Sequence, residues 1–301
     1  MTAPNNNDKE HNPKERASPA LTTFQNWFKF EKFPFTKYIW ASKMFPSRSQ
    51  QDLITGLRYS LEVRGISVAI GPPGVGKSIT LRRFKEELNT QEFHVFYLWN
   101  MRNSPQGFLR SLCRVFQLNP SVYVADMFDA LSAHLFTLEG HLGKHPVIIF
   151  DDCDYLSRDV IEYLRLLTNF EMDSVERFSI VLCGTEMLQA HLKEPGNLAF
   201  RQRVTYSQAL KPFTVEDTRA YINYHLQRVD APTELFTDGA VKLIFQYSRG
   251  YPRVINQVAI QSLIQAAIFK KDIVDEHLIK RHVQPNLLTD FSDDGSKQRE
   301  T

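Results

Sequence analysis

From about residue 24 to residue 210, short apolar runs rich in β-branched and aromatic residues alternate with segments whose apolar residues recur at every third or fourth position. The runs cover residues 66–70, 93–98, 146–150, 178–183 and, more weakly, 204–210. Continuous apolar runs are typical of strands buried on both faces. Apolar residues at every third or fourth position, as in the segments between the runs, are typical of amphipathic helices. The pattern predicts an α/β fold with a parallel sheet and crossover helices.

Strand signals stop after Leu210. Thr214 and Asp217 fit the Ser/Thr-x-x-Asp/Glu pattern of a helix start. Helical spacing then predicts helices over residues 215–229, 237–248, 252–269 and 275–283. Both chain ends are polar and lack the apolar surface that offsets the entropy cost of ordering. We therefore predict disordered tails at 1–23 and 289–301, an α/β domain at 24–211 and a small all-helical domain at 212–288.

Composition narrows the class of protein without indicating a function. The 301 residues are 43% hydrophobic and 23% charged, with a net charge of +2, which excludes a collagen-like chain and a strongly basic nucleic-acid coat. We find neither a spanning apolar segment nor a secretory signal, so we expect a cytoplasmic protein, in a bacterial cytosol. Cys113, Cys153 and Cys183 lack a CxxC spacing and are expected to be reduced, buried thiols.

The loop after the first predicted strand carries the most specific chemical signal. Residues 71–78 read GPPGVGKS, which fits G-x-x-x-x-G-K-[ST] between a strand and a helix. Glycines let backbone N–H groups turn toward phosphates, the lysine reaches the β and γ phosphates, and the serine hydroxyl ligates Mg²⁺. We therefore expect ATP and Mg²⁺ as cofactors, held by Gly71, Pro72, Pro73, Gly74, Val75, Gly76, Lys77, Ser78 and Ile79.

Asp151 and Asp152 end the third predicted strand. Doubly wound sheets bind ligands at the carboxyl ends of their strands, so Asp151 is expected to hold magnesium through water. On its own, an apolar run that ends in two aspartates is usually a strand meeting a polar loop. Asp152 stands where many hydrolysing P-loop proteins carry glutamate, which aligns the attacking water. Because aspartate is one methylene shorter, we expect slow ATP hydrolysis.

With these motifs, the chain resembles the AAA+ ATPases of the ExeA/GspA type and, more broadly, transposition ATPases such as TniB, TnsC, MuB and IstB. The resemblance covers nearly all of residues 24–285. It also rests on an aromatic lead-in at residues 30–35 and on residues 44–53, which in the family lie against the nucleotide base. Three further segments resemble the family's arginine-finger region (201–204), the start of its lid domain (210–213) and its sensor motif (248–256). The resemblance implies an ATPase that forms a ring or filament with ATP.

The resemblance assigns roles to polar residues outside the P-loop. It implies that Arg201 or Arg203 is an arginine finger for the γ-phosphate of a neighbouring subunit, without deciding between them. Arg253, after Pro252 at a predicted helix start, is expected to sense the nucleotide. Thr185, just past the fourth strand, is expected to touch the attacking water. A solvated surface arginine, a local ion pair and a helix cap are the plainer interpretations of these positions.

Six aromatic residues cluster near the start of the predicted fold: Phe24, Trp27, Phe28, Phe30, Phe33 and Phe35. This cluster is denser than one small core needs. We expect it to pack onto the ATPase domain, and a cover for the nucleotide base or a surface for an adjoining subunit are the alternatives.

Any DNA contact must come from a local group of basic residues, because the net charge is close to zero. Such residues follow the P-loop and the second strand: Arg82, Arg83, Lys85, Arg102, Arg110 and Arg114. Ring-forming relatives bind duplex DNA through the pore, and by this resemblance Arg102 is expected to contact a DNA phosphate. A solvated helix face is the plain alternative.

Three functions remain open. The first is a DNA-transposition ATPase that assembles with ATP on double-stranded DNA and recruits a transposase or integrase. The second is a secretion-type ATPase that assists assembly of an envelope complex, and the third is a nucleotide-gated signalling switch. The longer secretion relatives carry a membrane span after the ATPase, and the lack of such a segment here favours the first function.

Overall fold

The computed structural model describes residues 24–36, 43–99, 104–169 and 176–283. These residues form two compact units. Residues 43–212 make up one, and residues 24–36 join residues 213–283 in the other. Within the described ranges, no helix is both long enough and apolar enough to cross a membrane.

The first unit, called here the α/β unit, consists of a sheet covered by helices. Its strands are β1 (Ile66–Ile70), β2 (Phe93–Leu98), β3 (His145–Phe150), β4 (Ser179–Gly184) and β5 (Val204–Ala209). Its helices are α1 (Arg48–Glu62), α2 (Lys77–Glu87), α3 (Pro105–Val115), α4 (Val124–Leu142), α5 (Arg158–Leu167), α6 (Glu186–Lys193) and α7 (Leu198–Gln202). A short 3₁₀ turn, Pro195–Asn197, precedes α7.

The five strands are parallel and lie in the order β2-β3-β4-β1-β5. Residues of β1, β3 and β4 are buried throughout, whereas burial alternates along the edge strand β5, which explains its weaker sequence signal. Because the strands are parallel, the residues that follow β1, β3 and β4 meet at one edge of the sheet, called here the carboxyl edge. Residues that precede β5 lie at the opposite, amino edge.

The core of the α/β unit has two layers because successive residues of a strand point to opposite faces. Ala69, Ile149 and Val181 pack on one face against α1 and α2. Val68 and Leu182 pack on the other face, against α3 to α7. This three-layer arrangement confirms the predicted parallel α/β fold.

The second unit, called here the helical unit, contains α8 (Val215–Gln227), α9 (Asp238–Ser248), α10 (Pro252–Ile268) and α11 (Glu276–His282). Thr214 and Asp217 form the predicted capping box at the start of α8: Asp217 N–H donates to the Thr214 hydroxyl, and Thr214 N–H donates to the Asp217 carboxylate. The capping residues therefore begin this helix where the sequence pattern placed it.

The aromatic segment at residues 24–36 packs in the helical unit, which differs from the assignment of residues 24–211 to one α/β domain. The Phe35 ring stacks on His225 at 5.1 Å between centroids and meets Phe236 edge-on at 6.2 Å. Trp27 Nε1 donates a hydrogen bond of 3.1 Å to the Lys271 carbonyl. The apolar pattern predicts that rings of this segment are buried, as Phe24, Phe30 and Phe35 are, but it does not specify which core buries them.

Candidate nucleotide-binding site

The loop after β1 is held at the carboxyl edge by its backbone. Gly71 N donates to the Gly184 carbonyl at 3.1 Å, which ties the loop to the end of β4. Gly74 and Gly76 have φ angles of 82° and 109°, which residues with a side chain rarely adopt. Gly76 caps α2, and no side chain caps this helix, so its first N–H groups are free of a side-chain acceptor. Such a helix start attracts an anion.

Lys77 and Ser78 begin α2 with different environments. Lys77 is 8% exposed, and its Nζ donates to the carbonyls of Gly71 at 2.7 Å and Pro72 at 3.3 Å. The ammonium therefore lies within the curve of the loop. Ser78 is exposed, and Thr80 Oγ1 donates to the Gly76 carbonyl at 2.8 Å, which secures the first turn.

The remaining predicted loop residues differ in burial. Val75 is buried and packs in the core beneath the loop. Pro73 is exposed, and Pro72 and Ile79 are partly buried. Some side chains of this loop therefore face the core and others face solvent. An anion at the loop would be bound by the backbone N–H groups rather than by these side chains.

Gln50, which the sequence analysis missed, lies beside the P-loop. It is 4% exposed on α1, and its Oε1 accepts a hydrogen bond of 2.9 Å from the Ser47 hydroxyl. A Cβ atom added at Gly76 would lie 2.8 Å from Gln50 Nε2, so only glycine fits there without a shift. Gln50 shares the buried face of α1 with Leu53, Ile54 and Leu57, and a polar residue on an apolar helix face was the signal available in the sequence.

Asp151 follows β3 and is 2% exposed. Its Oδ2 accepts a hydrogen bond of 2.6 Å from the Tyr97 hydroxyl, and its Oδ1 accepts one of 3.0 Å from Asp152 N. Burial raises the pKa of Tyr97 above its ordinary value, and the hydrogen bond to Asp151 and the charge of that residue add to the rise. Tyr97 therefore stays a hydrogen-bond donor. It lies on β2, within the run 93–98 that the sequence predicted only as a buried strand.

Asp152 is exposed and has a φ angle of 56°, in the left-handed region that aspartate tolerates better than most residues. Partial desolvation of the carboxyl group and the charge of Asp151 raise its pKa, while the charge of Lys77 lowers it. The strand order places the P-loop after β1 and the end of β3 at the same edge of the sheet, with only β4 between them. The left-handed backbone also gives a physical reason for aspartate rather than the longer glutamate here.

Thr185 caps α6, as the plainer interpretation of this residue anticipated. Its Oγ1 accepts a hydrogen bond of 3.3 Å from Met187 N, and this bond leaves the hydroxyl hydrogen available to another acceptor. Thr185 N donates to the Asp154 carboxylate, which joins the loop after β3 to the start of α6. Asp154 is a second residue that the sequence analysis missed, because its partner follows a different strand.

Cys153 and Cys183 are buried at the same edge of the sheet. Cys153 N donates to the Cys183 carbonyl at 2.9 Å. Burial raises the pKa of both thiols, and the charge of Asp151 contributes to both shifts. Both residues therefore stay protonated and are poor nucleophiles.

The two candidate finger arginines lie away from this site. Arg201 is exposed, and its Nη1 donates to the Lys193 carbonyl at 3.0 Å, whereas Arg203 Nη1 lies 3.5 Å from Thr168 Oγ1. Residue 204 pairs with residue 66 and residue 209 with residue 70. Both arginines are thus at the amino edge, about one strand length, or roughly 17 Å, from the P-loop of their own chain.

Two other predicted residues lie elsewhere. Arg253 is exposed in the first turn of α10, directly after Pro252, in the helical unit. Arg102 falls outside the described residues.

Comparison with known proteins identifies relatives of this chain. Residues 60–192 match the family model described as an AAA domain. The chain is 29% identical to general secretion pathway protein A of Aeromonas hydrophila over 246 residues, which are 81% of this chain and 45% of that protein. It is 26% identical to the ATP-dependent target DNA activator B of Escherichia phage Mu over 221 residues, 71% of this chain and 63% of that protein. The chain spans less than two thirds of the length of each.

Solved structures agree in fold. Cdc6p from Pyrobaculum aerophilum superposes with a TM-score of 0.60 at 14% identity, over 80% of this chain and 67% of that one. The RuvB Holliday junction branch migration motor of Thermotoga maritima gives 0.52 at 18% identity, over 79% and 68%. The resemblance to ExeA/GspA-type and transposition ATPases is confirmed. Residues 60–192 are an AAA domain in a P-loop NTPase fold, and the chain is a homologue of both secretion protein A and the phage DNA activator B.

Proposed function

We propose that this chain binds ATP with Mg²⁺ at the carboxyl edge of the α/β unit and hydrolyses it. The observation that carries the proposal is the convergence of the P-loop, Asp151 and Thr185 after three neighbouring strands, β1, β3 and β4. A buried lysine, an exposed serine hydroxyl and a buried carboxylate are the groups that a magnesium–triphosphate ligand requires. The residues present therefore fit both ATP and the metal.

Each residue has a defined part in this proposal. Lys77 exchanges its two carbonyl acceptors for phosphate oxygens, while the N–H groups of the loop bind the same phosphates. Ser78 and Asp151 hold Mg²⁺, the aspartate through water. The metal, when bound, neutralises charge on the phosphates. Asp152 accepts the proton of the attacking water, and the Thr185 hydroxyl orients that water.

ATP hydrolysis by the purified chain tests the proposal. We expect Mg²⁺-dependent and slow phosphate release, because Asp152 is short, and we expect Lys77→Ala to abolish it. Lys85→Ala is the matched control, since Lys85 is exposed on the same helix. Hydrolysis that survives Lys77→Ala, or nucleotide binding that is absent from the wild type, would contradict the proposal.

Arg253→Ala tests the proposed sensor role through the affinity for ATP.

We also propose that copies of the chain assemble with ATP into a ring or filament, and that Arg201 or Arg203 completes the site of a neighbouring copy. The position of both arginines at the amino edge supports this proposal, because neither reaches the P-loop of its own chain. Sizing with a non-hydrolysable ATP analogue is expected to show an oligomer. A monomer at every concentration would contradict assembly.

For the target, we propose double-stranded DNA, with a transposase or integrase as the protein partner. The support is the homology to a protein described as an ATP-dependent target DNA activator, which extends over 71% of this chain. Exposed Arg82 and Arg114 make no ion pair with any described residue, so they are available to phosphates. Binding to duplex DNA at low salt with the ATP analogue should weaken steeply as salt rises, and Arg102→Ala should reduce the slope.

Assembly of an envelope complex is the second candidate, because the identity to secretion protein A is higher and covers more of this chain. The same DNA-binding experiment separates the two functions. Nucleotide-dependent assembly without any DNA binding at low salt would favour the secretion role. DNA binding that requires the ATP analogue would favour the transposition role.

A further inference from the structure

Hydrogen bonds to both oxygens of Asp151 fix the plane of its carboxylate. Oδ2 accepts from Tyr97 and Oδ1 accepts from the Asp152 backbone. The Cys183 side chain also makes a hydrogen bond with this carboxylate. A carboxylate offers about four lone-pair sites, so these donors still leave room for a metal-bound water. The bonds therefore restrict the rotation of the carboxylate without using up its capacity to bind.

Tyr97 reaches Asp151 from the adjacent strand. Tyr97 is in register with Ile149 across β2 and β3, and Asp151 lies two residues further along the same face. Asp151 N donates to the Leu98 carbonyl at 2.8 Å, which extends the pairing of the strands past the end of β3. The sheet thus fixes the distance between the phenol and the carboxylate.

The Tyr97 ring is held in place by packing. It lies partly buried against the core that includes Val147 and Ile149, and the Trp99 ring is 6.0 Å away between centroids. A short hydrogen bond from a neutral donor to a carboxylate is stronger than a neutral pair, and it orients the buried charge. A rigid donor on a sheet strand fixes that orientation more precisely than a loop residue would.

We propose that Tyr97 is a positioning residue for Asp151, which holds the carboxylate oxygen in the orientation that binds magnesium with ATP. This inference rests on the proposed metal role of Asp151. Partners that orient metal-binding residues typically contribute 10–100-fold to metal affinity. Tyr97→Phe is therefore expected to weaken the metal affinity of the nucleotide complex by about 10-fold, while ATP binding without metal stays unchanged.

The test measures metal binding directly. Mn²⁺ is titrated into each protein saturated with a non-hydrolysable ATP analogue, and electron paramagnetic resonance gives the fraction of free metal. Tyr163→Phe is the matched control, because Tyr163 is also partly buried in the α/β unit, and its hydroxyl makes no hydrogen bond with a described residue. Analogue affinity in EDTA and the thermal midpoint show whether each variant keeps its fold.

The outcomes separate this inference from the proposed function. Weaker Mn²⁺ binding in Tyr97→Phe and Asp151→Asn, with Tyr163→Phe like the wild type, supports the inference. Normal Mn²⁺ binding in Tyr97→Phe together with weak binding in Asp151→Asn overturns the role of Tyr97 alone. Normal Mn²⁺ binding in Asp151→Asn overturns the metal role of Asp151 itself. Loss of metal-free analogue binding in Tyr97→Phe also overturns the inference, because the hydroxyl would then be needed for the fold of the loop.

Discussion

The two edges of the parallel sheet hold their polar residues in different ways. At the carboxyl edge, Lys77 and Asp151 are buried and hydrogen-bonded to groups of the same edge. At the amino edge, Arg201 is exposed and Arg203 is only partly buried. Buried and oriented side chains are preorganised for a ligand of their own chain, because these side chains lose little conformational entropy when the ligand binds. Exposed arginines on long side chains suit a phosphate that another copy presents.

Among the variants that compare the two edges, removal of the amino-edge arginines is expected to have the largest effect. Arginine fingers contribute about 10³-fold or more to hydrolysis. The variant that removes the finger, either Arg201→Ala or Arg203→Ala, should therefore lower ATP turnover by about 10³-fold. ATP binding should stay unchanged, because neither residue lies near its own P-loop. Turnover and analogue affinity are measured on both variants, with Arg58→Ala on α1 as the control. If neither variant is slower than the control, the amino edge has no part in catalysis.

Asp152→Asn is expected to lower turnover by about 100-fold, the low end for a general base, because the amide cannot accept the proton. Asparagine also tolerates the left-handed backbone at this position, so the fold should survive. The active form is the carboxylate, so turnover of the wild type should rise with pH through the pKa of Asp152. Partial desolvation and Asp151 raise that pKa, which moves the acidic limb above the ordinary value for aspartate.

The pH profile of turnover measures this effect. Asp159→Asn, an exposed residue in the first turn of α5, is the control and should keep the acidic limb. An unchanged acidic limb in Asp152→Asn would show that another group accepts the proton.

Gly76→Ala tests whether the carboxyl edge depends on its backbone. The φ angle of 109° and the 2.8 Å approach of Gln50 Nε2 oppose any side chain, so we expect a loss of about 1–3 kcal/mol in the free energy of unfolding and weaker ATP binding. Gly140→Ala is a suitable control, since a Cβ added there meets no atom within 4 Å. Chemical denaturation and analogue titration measure both effects. Equal stability of the two variants would contradict the strain argument.

Thr185→Ala is expected to have the smallest effect on stability, a loss of about 1 kcal/mol from the missing cap of α6. If Thr185 also orients the attacking water, turnover should fall in Thr185→Ala and stay near the wild type in Thr185→Ser. Both quantities are measured on the same preparations. Turnover that is unchanged in Thr185→Ala would leave the residue with its structural role alone.

Local patterns predicted most of the fold and several of the residues that the structure brings together at the candidate site. Glycine spacing around Lys77 and the apolar run before Asp151 report chemistry that neighbours in sequence determine. Tyr97 was missed because its contact with Asp151 depends on the register between β2 and β3, which a single strand does not encode. The conformation of Asp152 was missed because its side chain tolerates several backbone regions.

The aromatic segment gives a similar lesson on a larger scale. Its rings predicted burial, and the choice between two cores depended on partners such as His225, nearly 200 residues away along the chain. Long-range pairing of this kind cannot be deduced from periodicity, since the period reports only that one face is buried.

The most direct test of this account is a mixing experiment, because its central claim is that the two edges form one catalytic site between copies. The Asp151→Asn variant and the Arg201→Ala, Arg203→Ala double variant are each expected to be nearly inactive. After equal mixing with ATP, random head-to-tail assembly pairs an intact carboxyl edge with an intact amino edge at about a quarter of the contacts. Recovery of up to about a quarter of wild-type turnover is therefore expected. A mixture that assembles but is no more active than its two components would contradict it.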